Sequence, residues 1–267
     1  MRHAVLAGSR HLTYLEAGEP DGRALVLLHG FPLTADMWRE QLAAPPHGWR
    51  VLAPDFAGFG GCDDHGGESV SLDDYAGDVL TWLGRLGVQQ IVLAGLSMGG
   101  YVALALARLA PERLNALVLA DTKAPADSDE ARAGRDRMLD TLGEHGTDGV
   151  AAEMLPKLLG ATTRSSRPQL VAEVRSLILP NPPDGVRRGI LRLRGRPDAT
   201  AVLPRIGVPT LVLVGEEDEV TPPKDARALA TAIPQATLET LPGAGHLSNL
   251  EAPSRFNAAL HRFLATV

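Results

Sequence analysis

The sequence predicts an α/β fold in which a mainly parallel sheet carries helices on both faces. Three observations predict it: short apolar runs recur along the chain, longer amphipathic stretches separate them, and one helical segment interrupts the alternation. The runs are Ala24-Leu25-Val26-Leu27-Leu28, Val51-Leu52-Ala53, Ile91-Val92-Leu93-Ala94, Leu117-Val118-Leu119-Ala120 and Thr210-Leu211-Val212-Leu213-Val214. They are too short for helices, and their unbroken Val, Ile and Leu content suits strands buried on both faces. A last strand is read at 237–241.

The helices follow in order. The first clear one covers 72–86 and opens on Ser71, three residues before Asp74, which places a cap and an acid at the positive end of the helix. The next covers 101–109 and stops before Pro111. From 123 to 200 no strand pattern appears. Helical patterns run at roughly 129–145, 148–160, 168–179 and 184–194, punctuated by Gly146, Gly160, Pro168 and Asn181-Pro182-Pro183. Strand and helix alternate again from Val208. The expected organisation is a core of 1–122 and 201–267 carrying an all-helical cap of 123–200.

Composition narrows the partners. The 267 residues are 45% hydrophobic and 22% charged, ordinary globular usage with enough apolar mass for a large core. A net charge of −6 argues against nucleic acid or an anionic membrane as the main partner. Cys62 is the single cysteine, so no intrachain disulfide can form. The sequence has no run of about 18 apolar residues and no signal-like N-terminal stretch. The expectation is a cytoplasmic monomer or small homo-oligomer with a small-molecule substrate and no membrane partner. No motif calls for a cofactor or a metal.

Gly95-Leu96-Ser97-Met98-Gly99 lies between the strand ending at Ala94 and the following helix. A serine on such a sharp turn takes up a strained backbone and lifts its hydroxyl above the sheet. Glycines at 95 and 99 remove side chains where strand and helix approach. The Met98 N–H, at the positive end of the helix, can then face a developing oxyanion. The competing reading is an ordinary helix-capping serine. His29-Gly30-Phe31-Pro32 follows another buried strand, and its glycine turn can offer the Phe31 N–H as the second donor. His29 itself reads as a buried histidine holding loop backbone.

Gly215-Glu216-Glu217-Asp218-Glu219 follows the strand 210–214. Asp218 is the candidate acid, a short side chain just past a glycine turn, and its three glutamate neighbours read as solvated. Gly243-Ala244-Gly245-His246 follows the last strand and makes His246 the candidate base. His3, His11, His47, His65, His145 and His261 lie in loops, near an end or on helix surfaces. The chain order Ser97, Asp218, His246 is that of hydrolases built on this kind of sheet, and differs from the orders of the two best-known serine protease folds.

These pieces, together with Asp55-Phe56-Ala57-Gly58-Phe59-Gly60, resemble the α/β-hydrolase superfamily over nearly the whole chain. Leu93 to Tyr101, Leu119-Ala120-Asp121-Thr122 and Arg196-Pro197-Asp198 resemble the group containing bacterial carboxylesterases and 3-oxoadipate enol-lactonases. The resemblance implies eight strands, a helical cap after the sixth, and a cofactor-free Ser-His-Asp mechanism through an acyl-enzyme. It also marks two departures: Ala57 and Cys62 stand where relatives commonly have arginine and serine. Some relatives carry their acid at the position of Asp121, which is therefore the alternative to Asp218. Relatives that open carbon–halogen bonds or epoxides carry aspartate at the elbow, and Ser97 excludes that chemistry.

The expected acyl pocket is lined by Phe31, Leu33, Met98, Val220 and Leu247, with Met138, Met154, Leu155, Leu158 and Leu177 from the cap. Hydrolysis of short to medium acyl esters is the first expectation. An enol-lactonase is the alternative and would need a cation for the substrate carboxylate, although most of the ten arginines between Arg132 and Arg194 read as solvated. Other serine chemistry on the same scaffold (carbon–carbon hydrolysis, cofactor-free perhydrolysis, thioester or amide cleavage), or a slow-turnover binding protein, are the remaining readings.

Overall fold

In the computed structural model, which describes residues 1–7, 10–64 and 70–267, eight strands form one sheet. They are β1 (Arg2–Ala7), β2 (Arg10–Gly18), β3 (Arg23–Leu28), β4 (Trp49–Pro54), β5 (Ile91–Leu96), β6 (Leu114–Ala120), β7 (Thr210–Gly215) and β8 (Ala236–Leu241). The order is β1-β2-β4-β3-β5-β6-β7-β8. β2 runs antiparallel to both of its neighbours, and every other pairing is parallel. The described helices are α1 (Arg39–Leu42), α2 (Leu72–Arg85), α3 (Met98–Leu109), α4 (Asp129–Leu158), α5 (Ala161–Ser166), α6 (Pro168–Ile178), α7 (Pro183–Arg194), α8 (Pro223–Ala232), α9 (Ser248–Glu251) and α10 (Pro253–Leu264). His65 lies outside the described residues.

The unbroken apolar runs are strands buried on both faces, and alternate residues enter two separate clusters. Val26, Leu28, Ile91 and Leu93 pack with Trp82, Val102 and Leu106 from α2 and α3. Leu25, Leu27, Val92 and Ala94 pack with Trp38, Phe256 and Leu260 on the opposite face. The period-two alternation of the strands thus divides the core between two layers of helices.

β1 and β2 are additions to the sequence reading. They form the antiparallel end of the sheet, pairing from Arg2 with Leu15 to Ala7 with Arg10. Half-polar edge strands lack the long apolar run that marks the central ones. Ser71 forms the expected cap with Asp74, each side chain bonding the other's backbone.

α4 to α7 lie between β6 and β7, as the broken rhythm suggests. Gly146, at φ 64°, kinks α4 between the two helical stretches expected there. Both ends of the insertion meet at a stem. Ala199 N–H donates to the Ala124 carbonyl at 3.0 Å, and buried Arg196 pairs with Asp127 at 2.8 Å. α7 approaches the core through two glycines on one face. A Cβ on Gly185 would stand 2.0 Å from the Gly58 oxygen, and one on Gly189 would stand 2.8 Å from the Phe31 ring. Arg192, one of the ten arginines of which most read as solvated, is buried. Its guanidinium stacks 4.2 Å over the Tyr75 ring and its Nε donates to the Ser71 carbonyl.

Candidate active site

β5 ends at Leu96 and α3 begins at Met98, leaving Ser97 as the whole turn between them. Ser97 adopts φ 55° and ψ −113°, the strained geometry expected of an elbow, and its side chain makes no capping bond. The glycines are required by contact. A Cβ on Gly95 would lie 2.2 Å from the Gly99 oxygen, and one on Gly99 would lie 2.2 Å from the Leu28 oxygen.

Ser97, His246 and Asp218 come together as a continuous relay. Ser97 Oγ lies 2.8 Å from His246 Nε2, and His246 Nδ1 lies 2.8 Å from Asp218 Oδ2. The histidine and aspartate are almost fully buried. Asp218 Oδ1 accepts the N–H groups of Val220 and Thr221 at 2.8 and 2.9 Å, and Thr221 Oγ1 donates to Oδ2 at 2.7 Å. Burial pushes the Asp218 carboxyl up, but His246 and these donors outweigh it and hold the pKa below the ordinary aspartate value. Thr221 was not read as functional from sequence, although a threonine three residues past an aspartate can satisfy its second oxygen.

Asp121 does not reach His246. Its Oδ1 accepts the Gly215 N–H at 2.8 Å and its Oδ2 accepts the Ser248 hydroxyl. The tip of β6 therefore touches all three loops of the relay. Ala120 accepts the Ser97 N–H at 3.0 Å, Thr122 Oγ1 donates to the Ser97 carbonyl at 2.9 Å, and Asp121 links the acid loop to the base loop. Asp121 sits at φ 45°. Complete burial, then the Asp218 charge, raise its pKa well above the ordinary value.

The Phe31 loop is held rigidly. Leu33 N–H donates to the Gly30 carbonyl at 3.0 Å across the cis Phe31–Pro32 peptide. His29 accepts the Phe56 N–H at Nε2, 3.0 Å, so its Nδ1 donates to the Gly30 carbonyl at 2.9 Å. Burial lowers the His29 pKa to about 4, which makes it a neutral holder of loop backbone, as expected from sequence. Met98 is the first residue of α3, so its N–H has no intrahelical acceptor.

The insertion is fastened to these loops. Asn181 Nδ2 donates to the Pro32 carbonyl at 2.9 Å, and Gly160 N–H donates to Glu251 Oε2 at 2.8 Å. Glu217, expected to be solvated, accepts the Thr162 N–H at 2.9 Å at the start of α5. A small cavity of about 190 Å³ opens between the two halves of α4 and Val220, with Met138, Met154 and Leu158 in its wall. Of the other expected pocket residues, Leu33 and Leu247 are buried in one core cluster and Phe31 and Met98 in the other.

Comparisons with known proteins agree with this architecture. Residues 23–253 match the family model described as alpha/beta hydrolase fold. A thermophilic esterase from Thermogutta terrifontis superposes with a TM-score of 0.91 at 36% identity, covering 100% of this chain and 98% of that one. The 3-oxoadipate enol-lactonase 2 of Acinetobacter baylyi (strain ATCC 33305 / BD413 / ADP1) is 28% identical over 249 residues, 93% of this chain and 91% of its own. A Pseudomonas syringae pv. syringae (strain B728a) protein provisionally named carbamate hydrolase RutD is 31% identical, over 92% and 95% of the two chains. The chain is a hydrolase and belongs to the α/β-hydrolase fold family.

Proposed function

We propose that the chain is a serine carboxylesterase acting on small acyl esters, with the 123–200 segment as a cap over the site. The observation that carries this reading is the unbroken Ser97–His246–Asp218 relay with 2.8 Å at both links. His246 takes the Ser97 proton at Nε2 as Oγ attacks the ester carbonyl. The tetrahedral oxyanion is received by the Phe31 and Met98 N–H groups. His246 then returns the proton to the leaving alcohol, and the same steps with water release the acid. Asp218, anchored by Val220 and Thr221, keeps the Nδ1 proton on His246 and stabilises the imidazolium.

Val220, whose N–H binds Asp218, stands between the relay and the cavity walled by Met138, Met154 and Leu158 together with Arg135, Glu153 and Lys157, and that neighbourhood supports an acyl group of modest size. Likeness to an enol-lactonase supports lactone opening as a second reading, since the same relay can attack a cyclic ester once a cation holds the substrate carboxylate. The test assays p-nitrophenyl esters of increasing acyl length and 3-oxoadipate enol-lactone in parallel, on wild type and Ser97→Ala. Turnover of short acyl esters that vanishes in the variant is expected. Turnover of the lactone alone would replace the esterase reading with the lactonase one.

A further inference from the structure

A second, larger cavity of about 360 Å³ lies away from the relay, and none of Ser97, His246, Asp218, Phe31 or Met98 lines it. It is bounded by the stem of the insertion on one side and by α3 and the start of α2 on the other. Leu72, Leu104, Ala105 and Val202 give it an apolar wall. Its volume falls in the range of small-ligand sites.

Two cationic groups, Lys123 and Arg196, stand in this wall. Lys123 is half-buried, and among the described residues its ammonium makes no hydrogen bond or ion pair. Its pKa is pulled down, first by burial and then by the neighbouring Arg196 and Arg135, against the opposing charges of Asp127 and Asp225. Asp127 is already engaged by Arg196 at 2.8 Å and Arg135 at 3.3 Å. Arg196 is buried and stacked 4.2 Å over the Tyr101 ring. Its Nη1 and Nη2 bond Pro125 and Asp127, while its Nε is buried with no partner. Arg108 and Asp73, also in the wall, satisfy each other at 2.6 Å, and the wall's other carboxylate, Asp198, accepts the Thr200 N–H at 2.7 Å. A half-buried ammonium that is unpaired among the described residues, beside an apolar surface and backed by the buried Arg196 guanidinium, is a feature that an anion would complete.

We propose that this cavity binds a small carboxylic acid, its carboxylate on the Lys123 ammonium, with the buried Arg196 guanidinium adding positive charge behind it, and its apolar tail against Leu72, Leu104, Ala105 and Val202. Such a ligand bridges the stem of the insertion to α3, the helix that begins immediately after Ser97. The binding chemistry is independent of the esterase reading, because no residue of the relay takes part.

Isothermal titration calorimetry with hexanoate and benzoate tests the site, with hexanol and inorganic phosphate as the controls lacking one half of the recognition. Both acids are expected to bind wild type and Ser97→Ala equally, more tightly than either control. Lys123→Met is expected to weaken them about tenfold. Ala105→Phe, which fills the cavity from the partly exposed face of α3, is expected to abolish binding. Circular dichroism establishes that both variants are folded. Hexanoate is also the product of hexanoyl ester hydrolysis, so the two sites are separated by the variant: inhibition of ester turnover that persists in Ala105→Phe marks the acyl site, and inhibition lost in Ala105→Phe marks this cavity. Folded Lys123→Met and Ala105→Phe chains that bind hexanoate as wild type does would overturn the proposal, as would no binding to wild type.

Discussion

Asp218 and His29 are both buried and both accept backbone N–H groups, yet burial and partners drive them to opposite tasks. Asp218→Asn keeps acceptors for Val220 and Thr221 but turns a donor or a neutral acceptor toward His246. It is expected to lower kcat by about 10²–10⁴-fold with little change in melting temperature. His29, with a folded pKa of about 4 against 6.5 in the unfolded chain, binds fewer protons when folded between those values. Its stabilisation is therefore complete above pH 6.5 and lost as pH falls toward 4, by about 3 kcal/mol. The stability gap between wild type and His29→Gln in urea titrations is expected to narrow over that window. Asp55 works in the other direction, because burial raises its pKa to about 6 and its contribution falls as pH rises from about 4 to 6. At this scale the sequence was most informative where backbone geometry restricts residue type, as in Gly95-Leu96-Ser97-Met98-Gly99. Thr221 and Ser248 left no such trace, since a hydroxyl in a loop reads the same whether or not a buried carboxylate awaits it.

Among the elements, the tip of β6 gathers the three loops of the relay through Ala120, Asp121 and Thr122. Burial and the nearby Asp218 charge raise the pKa of Asp121, so its contribution to stability is lost as pH rises past the ordinary aspartate range. Asp121→Asn, which carries no charge to bury, is expected to melt at or above wild type at pH 7. Asp121→Leu removes the acceptor for Gly215 and is expected to cost about 1–3 kcal/mol. A melting point for Asp121→Asn far below wild type would show that the charge itself is needed. On α7, Gly185→Ala would drive a methyl into the Gly58 carbonyl. Overpacking against backbone is expected to cost about 1–3 kcal/mol, read as a lowered denaturation midpoint. Sequence periodicity placed α7 well because Pro183 starts it and its apolar face is regular. It could not show that Gly185 and Gly189 mark a close approach, because that depends on a loop more than a hundred residues away in the chain. β1 and β2 were missed for a related reason: their burial is supplied by α2 and β4, and their own residues are half polar.

Across the whole molecule, both core clusters contain residues from the insertion as well as from the sheet. Met138, Val150 and Val186 pack on one side, and Ala151, Leu170 and Val174 on the other. The 123–200 segment and the remaining core are therefore expected to unfold together in one calorimetric transition. Two separate transitions would show that the cap is an independent unit. The sheet and the existence of the insertion were legible because buried parallel strands and a stretch without strands are patterns of composition. The fastening of the insertion by Asn181, Glu217 and Glu251 was not, since long-range side-chain bonds leave no periodic signal. Ser97 as the nucleophile of an acyl transfer is put to the test by labelling the wild-type chain with a fluorophosphonate and mapping the adduct by peptide mass spectrometry. One adduct, on Ser97, with full loss of ester turnover is expected, and none in His246→Ala. An adduct on another residue, or full turnover by a chain labelled at Ser97, would contradict it.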